Sequence, residues 1–407
     1  MNCIPNKKIF DPNFDSIEFS EKICNLTRCE MAQYFANFLM KKYKSVYKCA
    51  SIKDNIWYEF KNHRWVKIDS AYSLRNLISS GITEPLCNKR QSNNEAKNIS
   101  KVILNLNNSI FKNNIIRKCC ELAYDPYFFK NMDENNHLIC FENGIYDLKE
   151  NIFRDGCPDD NISISIGYNY STYDKNSPTT KYIKNFFKKL QHDKEMRRYI
   201  LILLSSCLDG LISDNIYIFS GINITYEDKL TELLKYTFGN LCKSMDIGTM
   251  EIMVSNMLNP WRLPVATPDL FEARKARIYL FDSDDRFNDR IVNIQFIQET
   301  KENENIPIRD LYQNPIYFKP QFKSFLFCDK PPNTKYHHHD NIIIIPFPKI
   351  DKISKEKNFS SSQDLFEWKE MFMSLLIKTY QKYKRYGLIH PKIVLNATKI
   401  YKENKCR

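Results

Sequence analysis

The residues whose types and spacing suggest chemistry most clearly lie between Asn215 and Gly239. Asn215–Ser220 (NIYIFS) predicts a short buried β-strand, because it is apolar and rich in β-branched and aromatic residues. Apolar residues then recur at helical spacing until Gly239, a helix stop signal: Leu230, Leu233, Leu234 and Phe238. The eight residues between, Gly221–Asp228 (GINITYED), are therefore predicted to link strand to helix. A phosphate-binding loop occupies this place in many nucleotide-binding α/β proteins.

The side chains of this loop do not suit phosphate. The pattern G-x-x-x-x-G-K-[ST] supplies a lysine for the phosphates and a hydroxyl for magnesium. Glu227 stands at the lysine position and Asp228 at the hydroxyl position. Replacing Lys by Glu changes the local charge by two units, and each unit interaction is on the order of 4 kcal/mol at about 4 Å and an effective dielectric near 20. Tyr226 adds a Cβ where glycine would let the backbone approach phosphate.

Length and composition indicate a folded protein with more than one domain. The chain has 407 residues, of which 43% are apolar and 14% aromatic, so it can bury a sizeable core. No stretch approaches the roughly 18 apolar residues that span a bilayer, and we expect no membrane partner. The first residues, MNCIPNKK, contain no apolar signal region, so we expect a protein that is not secreted.

Cysteine and histidine patterns favour neither a disulfide framework nor a metal site. The 13 cysteines form no C-x-x-C pair, which is typical of reduced cytosolic thiols. The triplet His337–His339 has no partner at ligand spacing, so a solvated loop is the preferred interpretation.

Positive charge is concentrated in two stretches of a chain whose net charge is +12. Residues 369–407 contain ten Lys or Arg and two Glu, and residues 181–198 contain seven against two acids. Such patches can follow a nucleic-acid backbone, and the alternative is a solvated lysine-rich surface. The tail also contains tyrosines at positions 380, 383 and 386, which suit base stacking or, at this spacing, packing of one helix face.

Strands alternate with helices in the second half of the chain. Three apolar runs follow the first strand, and each predicts a further buried strand: Arg277–Phe281, Phe322–Cys328 and Asn341–Phe347. The alternation indicates a mainly parallel sheet with covered faces. The first half instead mixes a helix over Cys29–Tyr43 with a hairpin over Ile56–Ile68 and two short strands flanking the Glu142–Gly144 turn.

Several segments together resemble the primase-helicases of large DNA viruses, the poxvirus-type superfamily-three helicases. In chain order they are WYEFKNHRWV (57–66), LRNLIS (74–79), LICFENGIYDL (138–148), PDDNISISIGYNY (158–170) and IRDLYQNPIYFKPQFK (308–323). The resemblance covers about residues 50–400. It implies an α/β fold with a mostly parallel-sheet, AAA+-like P-loop ATPase core, preceded by an α+β N-terminal domain.

The resemblance also implies a domain layout. We expect an N-terminal helical segment at 1–45, an α+β domain at 46–178 like the one preceding viral primase-helicase motors, a degenerate superfamily-three ATPase domain at 179–350, and a basic helical segment at 351–407.

The family's nucleotide-binding residues fall on positions where their chemistry is replaced. Its Gly-Lys-Ser falls on residues 226–228, and its catalytic Glu falls on or beside Ser283. Its Thr-Gly-Gly-Asp falls on residues 301–304, its sensor Asn on Asp329, and its paired arginines on residues 340 and 341. The resemblance thus implies an eroded nucleotide pocket made of Gly221, Asn223, Thr225, Glu227, Asp228, Lys229, Asp282, Ser283, Asp284, Arg309 and Asp329.

We therefore expect a catalytically inactive viral helicase relative with no catalytic residue and no bound ATP, Mg²⁺ or other metal. Expected partners are single-stranded or double-stranded DNA, and either further copies in a homo-hexamer or an active helicase paralogue. The expected location is the cytoplasm or the viral replication compartment of an infected cell.

Two alternatives stay open. The first is an active ATP-dependent DNA helicase in which Lys229 contacts the phosphates and Asp282 or Asp284 holds magnesium. The second is a structural or interaction protein that binds neither nucleotide nor DNA.

Overall fold

The structure is a computed structural model, and it describes most of the chain in two compact units. The described residues are 23, 26–83, 93–211, 213, 215–222, 224–246, 268–282, 306–308, 316–318, 321–331, 341–348 and 361–405. Unit 1 consists of Met1–Asn135 with Asp155–Ser163, and unit 2 consists of Asn136–Arg154 with Ile164–Arg407. None of the helices in the described ranges has both the length and the apolar composition needed to cross a bilayer.

Unit 1 combines a three-stranded antiparallel sheet with helices. The strands lie in chain order and are β1 (Tyr47–Ser51), β2 (Ile56–Lys61) and β3 (Arg64–Ile68). The helices are α1 (Arg28–Tyr43), α2 (Tyr72–Asn76), α3 (Asn93–Asn107), α4 (Ser109–Ala123) and α5 (Phe128–Asn131). A π-helical turn over Leu77–Ile82 follows α2, and 3-10 turns cover Asp69–Ala71 and Pro158–Asp160.

Local sequence explains the main elements of unit 1. A capping box starts α1, in which the Thr27 hydroxyl accepts from the Glu30 N–H and the Glu30 carboxylate accepts from the Thr27 N–H. One face of α1 is buried in the core against α4. The predicted hairpin is confirmed: β2 and β3 are joined by Asn62 and His63, whose φ angles of 50° and 64° make a tight two-residue turn.

Unit 2 is built around a five-stranded sheet in which every neighbouring pair is parallel. The strand order is β13-β7-β12-β9-β8. The strands are β7 (Ile216–Ser220), β8 (Cys242–Asp246), β9 (Ile278–Asp282), β12 (Lys323–Cys328) and β13 (Ile342–Pro346). This sheet confirms the predicted α/β class, and unit 1 supplies the predicted smaller α+β region of the N-terminal part.

Helices and two small antiparallel sheets complete unit 2. The helices are α6 (Pro178–Leu190), α7 (Lys194–Ser206), α8 (Ile224–Phe238), α9 (Pro268–Ala273), α10 (Ser362–Tyr386) and α11 (Lys392–Lys405). The small sheets are β4 (Leu138–Phe141), β5 (Gly144–Asp147) and β6 (Ile152–Arg154), and the pair β10 (Ile306–Ile308) and β11 (Ile316–Phe318). Short 3-10 turns cover Cys207–Asp209 and Gly239–Leu241.

Apolar burial explains why the central sheet forms. The first four residues of β7 are buried, as expected of a parallel strand covered on both faces. The predicted apolar face of α8 is confirmed, because four of its side chains are fully buried in the same core: Leu230, Leu233, Leu234 and Phe238.

A buried ionic network lies at the edge of the sheet where the parallel strands begin. Lys323, the first residue of β12, is 3% exposed, and its Nζ lies 3.8 Å from Oδ1 of the buried Asp209. The Lys323 ammonium also donates to the backbone oxygens of Ser206 (2.7 Å) and Leu211 (3.4 Å). Tyr380 of α10 donates to Asp209 Oδ2 at 3.3 Å. We call these groups the Asp209–Lys323 network.

The burial of the three C-terminal tyrosines favours the second interpretation of their spacing, the packing of one helix face. Tyr380 is buried, and Tyr383 packs against the unit 2 core, whereas Tyr386 is 65% exposed. Two of the three rings therefore pack inward along one face of α10 and do not offer a stacking surface for bases.

Candidate nucleotide site

The carboxyl ends of the parallel strands meet at the opposite edge of the sheet, where open α/β sheets bind ligands. Ser220 at the end of β7 pairs in register with Cys328 at the end of β12 and with Pro346 at the end of β13. Gly221 and Asp329 follow the first two of these strands. The structure therefore brings two of the predicted pocket residues together at this edge.

Gly221 is held by protein contacts. Its φ is +79°, and a Cβ added there would lie 3.0 Å from the backbone oxygen of Phe347, so a glycine fits where a larger residue would be strained. Its N–H donates to the backbone oxygens of Cys328 (3.0 Å) and Asp329 (2.9 Å). The first N–H of the loop therefore points at carbonyls of β12 and the residue after it, and is not free to bind a phosphate.

The predicted eight-residue loop is wrong. Helix α8 begins at Ile224, so the link from β7 spans only residues 221–223. Gly221 is the single glycine between Ser220 and Gly239. Without further glycines, residues 224–228 have no conformational reason to stay out of the helix, and they form its first turns. Thr225 and Asp228 thus lie on the helix and not on a phosphate-cradling loop.

Glu227 supplies an anion at the start of α8. It lies in the first turn, where the unpaired N–H groups carry partial positive charge that attracts anions. In a phosphate-binding loop that charge would face the ligand. Here the protein's own carboxylate occupies the favourable position, and Tyr226 beside it is buried in the unit 2 core.

Cys328 ends β12 at this edge, next to Asp329 in the sequence. Burial raises the pKa of the Cys328 thiol to about 12, and the negative charges of Glu227 and Asp329 contribute to the rise. Both acidic residues belong to segments that meet at this edge, since Glu227 lies in the first turn of α8 and Asp329 follows β12 directly. Sequence reasoning did not single out Cys328, although it ends a correctly predicted strand beside the predicted sensor position.

Lys229 is turned toward α10. Its Nζ lies 3.2 Å from Glu232 Oε2 and 3.3 Å from Oγ of Ser362, the first residue of α10. Burial raises the pKa of Glu232, but hydrogen bonds from Ser362, Lys229 and Tyr236 outweigh it, so the net shift is downward. The ammonium that could have replaced the missing loop lysine is therefore held by a carboxylate and a hydroxyl.

The other predicted pocket residues are only partly covered by the structure. Asp282 ends β9, and its backbone pairs with Asp246 of β8. The following predicted positions lie outside the described residues: Asn223, Ser283, Asp284, Arg309, residues 301–304, His337–His339 and Asp340. Within the described ranges, no group of three or more His, Cys, Asp or Glu side chains could hold a metal ion.

Comparison with known proteins finds similarity to a protein family and to viral proteins that are named as helicases. Residues 36–192 match the family described as D5 N terminal like. These residues include parts of both compact units.

Two curated viral proteins are similar over most of the chain. "Putative helicase L207/L206" of Acanthamoeba polyphaga mimivirus is 44% identical over 91% of this chain and 42% of its own length. "Putative helicase 184R" of Invertebrate iridescent virus 6 is 27% identical over 67% of this chain and 31% of its own length. The chain thus spans less than half of the length of the curated relatives it matches.

A solved structure, "The A form apo structure of NrS-1 C terminal region-CTR", aligns with a TM-score of 0.41 and 12% identity, over 59% of this chain and 55% of that one.

Proposed function

We propose that this chain, a helicase-like relative of the viral proteins above with a D5 N terminal like region, keeps a helicase scaffold without ATP chemistry. On this proposal it is a pseudoenzyme of viral DNA replication. It acts by binding DNA, or by joining an active helicase as a regulatory partner. The observation that carries the proposal is the placement of two acidic residues, Glu227 in the first turn of α8 and Asp329 directly after β12, at the edge where a triphosphate would have to bind.

Electrostatics support the absence of ATP binding. Transfer or hydrolysis of a γ-phosphate depends on neutralising spread negative charge with a lysine, a metal ion and arginines. At this edge Glu227 replaces the lysine and Asp329 stands at the sensor position. Two carboxylates beside a triphosphate repel it, and the charge reversal at Glu227 alone is comparable to the binding energy of about 8 kcal/mol of a micromolar ligand.

Backbone geometry supports the same conclusion independently. A phosphate loop binds through several free N–H groups in succession. Here the link between β7 and α8 spans three residues, and the Gly221 N–H is already bonded to two carbonyl oxygens. The residues at this edge therefore do not fit a bound ATP·Mg²⁺.

The binding of ATP is tested by calorimetric titration of the full chain with ATP and Mg²⁺, together with steady-state ATPase assays containing single-stranded DNA. We expect no saturable heat with millimolar ATP and no turnover above background. Turnover that Lys229→Ala abolishes would instead establish an active enzyme with unorthodox phosphate contacts.

A charge-restoring variant separates electrostatics from backbone geometry. Glu227→Lys is expected to bind ATP·Mg²⁺ at least tenfold more tightly than the wild type, because it replaces a repulsive charge by an attractive one at the start of α8. Glu150→Lys is the matched control. The substitution makes the same charge change at an exposed residue that is far along the chain from the β7–α8 link. Equal behaviour of the two variants would contradict the electrostatic part of the proposal.

Assembly is tested separately, because inactivity alone does not identify a partner. Sedimentation with and without single-stranded DNA distinguishes a homo-hexamer from a monomer that awaits an active helicase. A chain that neither assembles nor binds DNA would support the interpretation as a purely structural protein and contradict the proposal.

A further inference from the structure

Unit 1 contains a basic cleft that is separate from the candidate nucleotide site. The cleft has a volume of about 530 Å³ and is lined by four lysines around an aromatic floor: Lys41, Lys42, Lys44, Lys48, Trp65 and Phe128. The first three lysines lie at the end of α1, and Lys48 lies on β1. The end of α1 and the start of β1 thus place four lysines of one short segment on the same concave surface.

The charge of the cleft is only partly compensated. Two acidic residues, Asp125 and Asp159, belong to the same lining. Lys48 Nζ lies 3.4 Å from Asp125 Oδ2, which pairs one lysine with one acid. Lys41 and Lys44 are exposed, and neither makes an ion pair with any carboxylate in the described part of the chain. The surface therefore keeps cations available for an anionic partner.

The helix dipole accounts for only part of this arrangement. Lys41 and Lys42 lie in the last turn of α1 and complement its partial negative charge. That effect does not explain Lys48, which lies on a strand, or the cleft beside it.

The floor of the cleft is apolar and has no free ring donor. Trp65 and Phe128 are 1% and 3% exposed, and their ring centroids are 5.0 Å apart in an edge-on arrangement. The indole Nε1 of Trp65 donates to the backbone oxygen of Pro158 at 2.9 Å. Recognition in this cleft therefore depends on charge and shape and not on hydrogen bonds from the floor.

Exposed aromatic rings lie on the chain segment that forms the cleft wall. Tyr124, Tyr127 and Phe129 are 45%, 65% and 45% exposed, and they surround Asp125 and Phe128 in the sequence. The Tyr127 N–H donates to Asp125 Oδ1 at 3.1 Å, so the carboxylate that pairs with Lys48 also holds the turn that carries the ring. The exposed Tyr127 ring therefore lies on a turn held by Asp125, between two residues that line the cleft, Asp125 and Phe128.

We infer that this cleft binds single-stranded nucleic acid without sequence preference, with the lysines on the phosphates and the Tyr127 ring against an unpaired base. Grooves of this kind combine a cationic track for the backbone with aromatic faces on which any base can stack. A duplex keeps its bases stacked inside and cannot use the rings. The inference does not depend on whether the candidate nucleotide site binds ATP, because the cleft belongs to unit 1 alone.

The lysines are tested by fluorescence anisotropy with a labelled oligothymidylate of about 20 nucleotides, using the full chain without ATP. The variant Lys41→Glu/Lys44→Glu is expected to bind at least tenfold more weakly than the wild type. The matched control is Lys97→Glu/Lys101→Glu, which reverses two exposed lysines of α3 that do not line the cleft. The control is expected to change affinity by less than about threefold, from its general effect on net charge.

Salt dependence supplies a second readout for the lysines. Loss of two phosphate contacts should reduce the slope of log K against log salt by about 1.4, at roughly 0.7 per contact for single strands. Equal losses of affinity and equal slopes in the two double variants would overturn the inference.

The ring is tested by Tyr127→Ala against Tyr72→Ala, a control ring of unit 1 that is 67% exposed. Tyr127→Ala is expected to weaken binding at least fivefold, near the lower end of a base–aromatic contribution, while Tyr72→Ala stays within about twofold. Equal binding of a duplex of the same length, or an unchanged affinity in Tyr127→Ala, would overturn the stacking role. A parallel titration with oligouridylate shows whether the cleft prefers DNA or RNA.

Discussion

The two edges of the parallel sheet in unit 2 differ in the charged residues that they carry. Where the strands begin, the Lys323 ammonium is buried and meets the Asp209 carboxylate and two backbone oxygens. Where the strands end, burial raises the pKa of the Cys328 thiol, and the negative charges of Glu227 and Asp329 add to the rise. One edge brings opposite charges together, and the other carries two acidic residues, Glu227 and Asp329.

This difference separates what the fold needs from what an ATPase would need. Buried charges that are paired and hydrogen-bonded hold helices to strands, and removing one partner is costly. Like charges at a sheet edge cost little when water can reach them, and Asp329 is exposed. On the proposed function, the scaffold keeps its stability through the first edge while the chemistry at the opposite edge is replaced.

The largest effect is expected at the edge where the strands begin. Lys323→Met should lower the free energy of unfolding by about 3–5 kcal/mol, because it leaves the buried Asp209 carboxylate without its cation. Urea unfolding followed by circular dichroism measures the change.

The control uses a lysine on another strand of the same sheet. Lys243 of β8 pairs with Glu272 at 2.9 Å, but the lysine side chain is 29% exposed and the carboxylate 67% exposed. Lys243→Met should cost less than about 1 kcal/mol, as is usual for a pair in solvent. The double variant Lys323→Met/Asp209→Asn should recover part of the lost stability. Equal costs for the two single variants would show that the buried network does not distinguish this edge.

An intermediate effect is expected from glycines at the two edges. Gly210 has a φ of +54°, and an added Cβ would overlap Nη1 of the buried Arg277, so Gly210→Ala should cost about 2–4 kcal/mol. At the other edge the nearest atom to an added Cβ on Gly221 is the Phe347 oxygen at 3.0 Å, and Gly221→Ala should cost about 1–2 kcal/mol. Urea unfolding midpoints of the two variants test whether Gly210→Ala is the more destabilising substitution. A larger cost for Gly221→Ala would contradict the view that the edge where the strands begin is the more tightly packed one.

The sequence predicted the elements of the sheet better than their surroundings. Runs such as NIYIFS and FKSFLFC mark buried strands directly, because a strand covered on both faces has to be apolar along its length. The spacing of Leu230, Leu233 and Phe238 likewise predicted the buried face of α8. These signals are local, and the structure confirms them to within one or two residues.

Two features could not be predicted in this way. The start of α8 was placed too late because the phosphate-loop pattern was imposed on residues that lack its glycines. The pairing of Asp209 with Lys323 joins positions far apart in the sequence, and no local pattern indicates which strand begins beside which helix end. The unit 1 cleft was missed for the same reason, since only the fold brings Lys41 and Lys44 to the same surface as Trp65 and Phe128.

The smallest effect is expected at the acidic edge, in the reactivity of Cys328. Its thiol has a pKa raised from 9.0 to about 12, first by burial and then by Glu227 and Asp329. Glu227→Gln removes one negative charge, so the pKa should fall and the thiolate fraction at pH 9 should rise. Alkylation of Cys328 at pH 9 should then be about two- to tenfold faster, because each unit of pKa changes the thiolate fraction about tenfold well below the pKa.

Mass spectrometry of the Cys328 peptide measures this rate against the other cysteines, and Glu150→Gln controls for the loss of a distant exposed carboxylate. The raised pKa also predicts a direction for stability. The neutral, partly buried Cys328 thiol contributes its full stabilisation below pH 9, and the contribution is lost as pH rises toward 12, because the unfolded chain releases the proton first. If Glu227→Gln leaves the alkylation rate unchanged, the carboxylate does not act on Cys328. The contrast between the edge with the buried Asp209–Lys323 pair and the edge with two acidic residues would then rest on Asp329 alone.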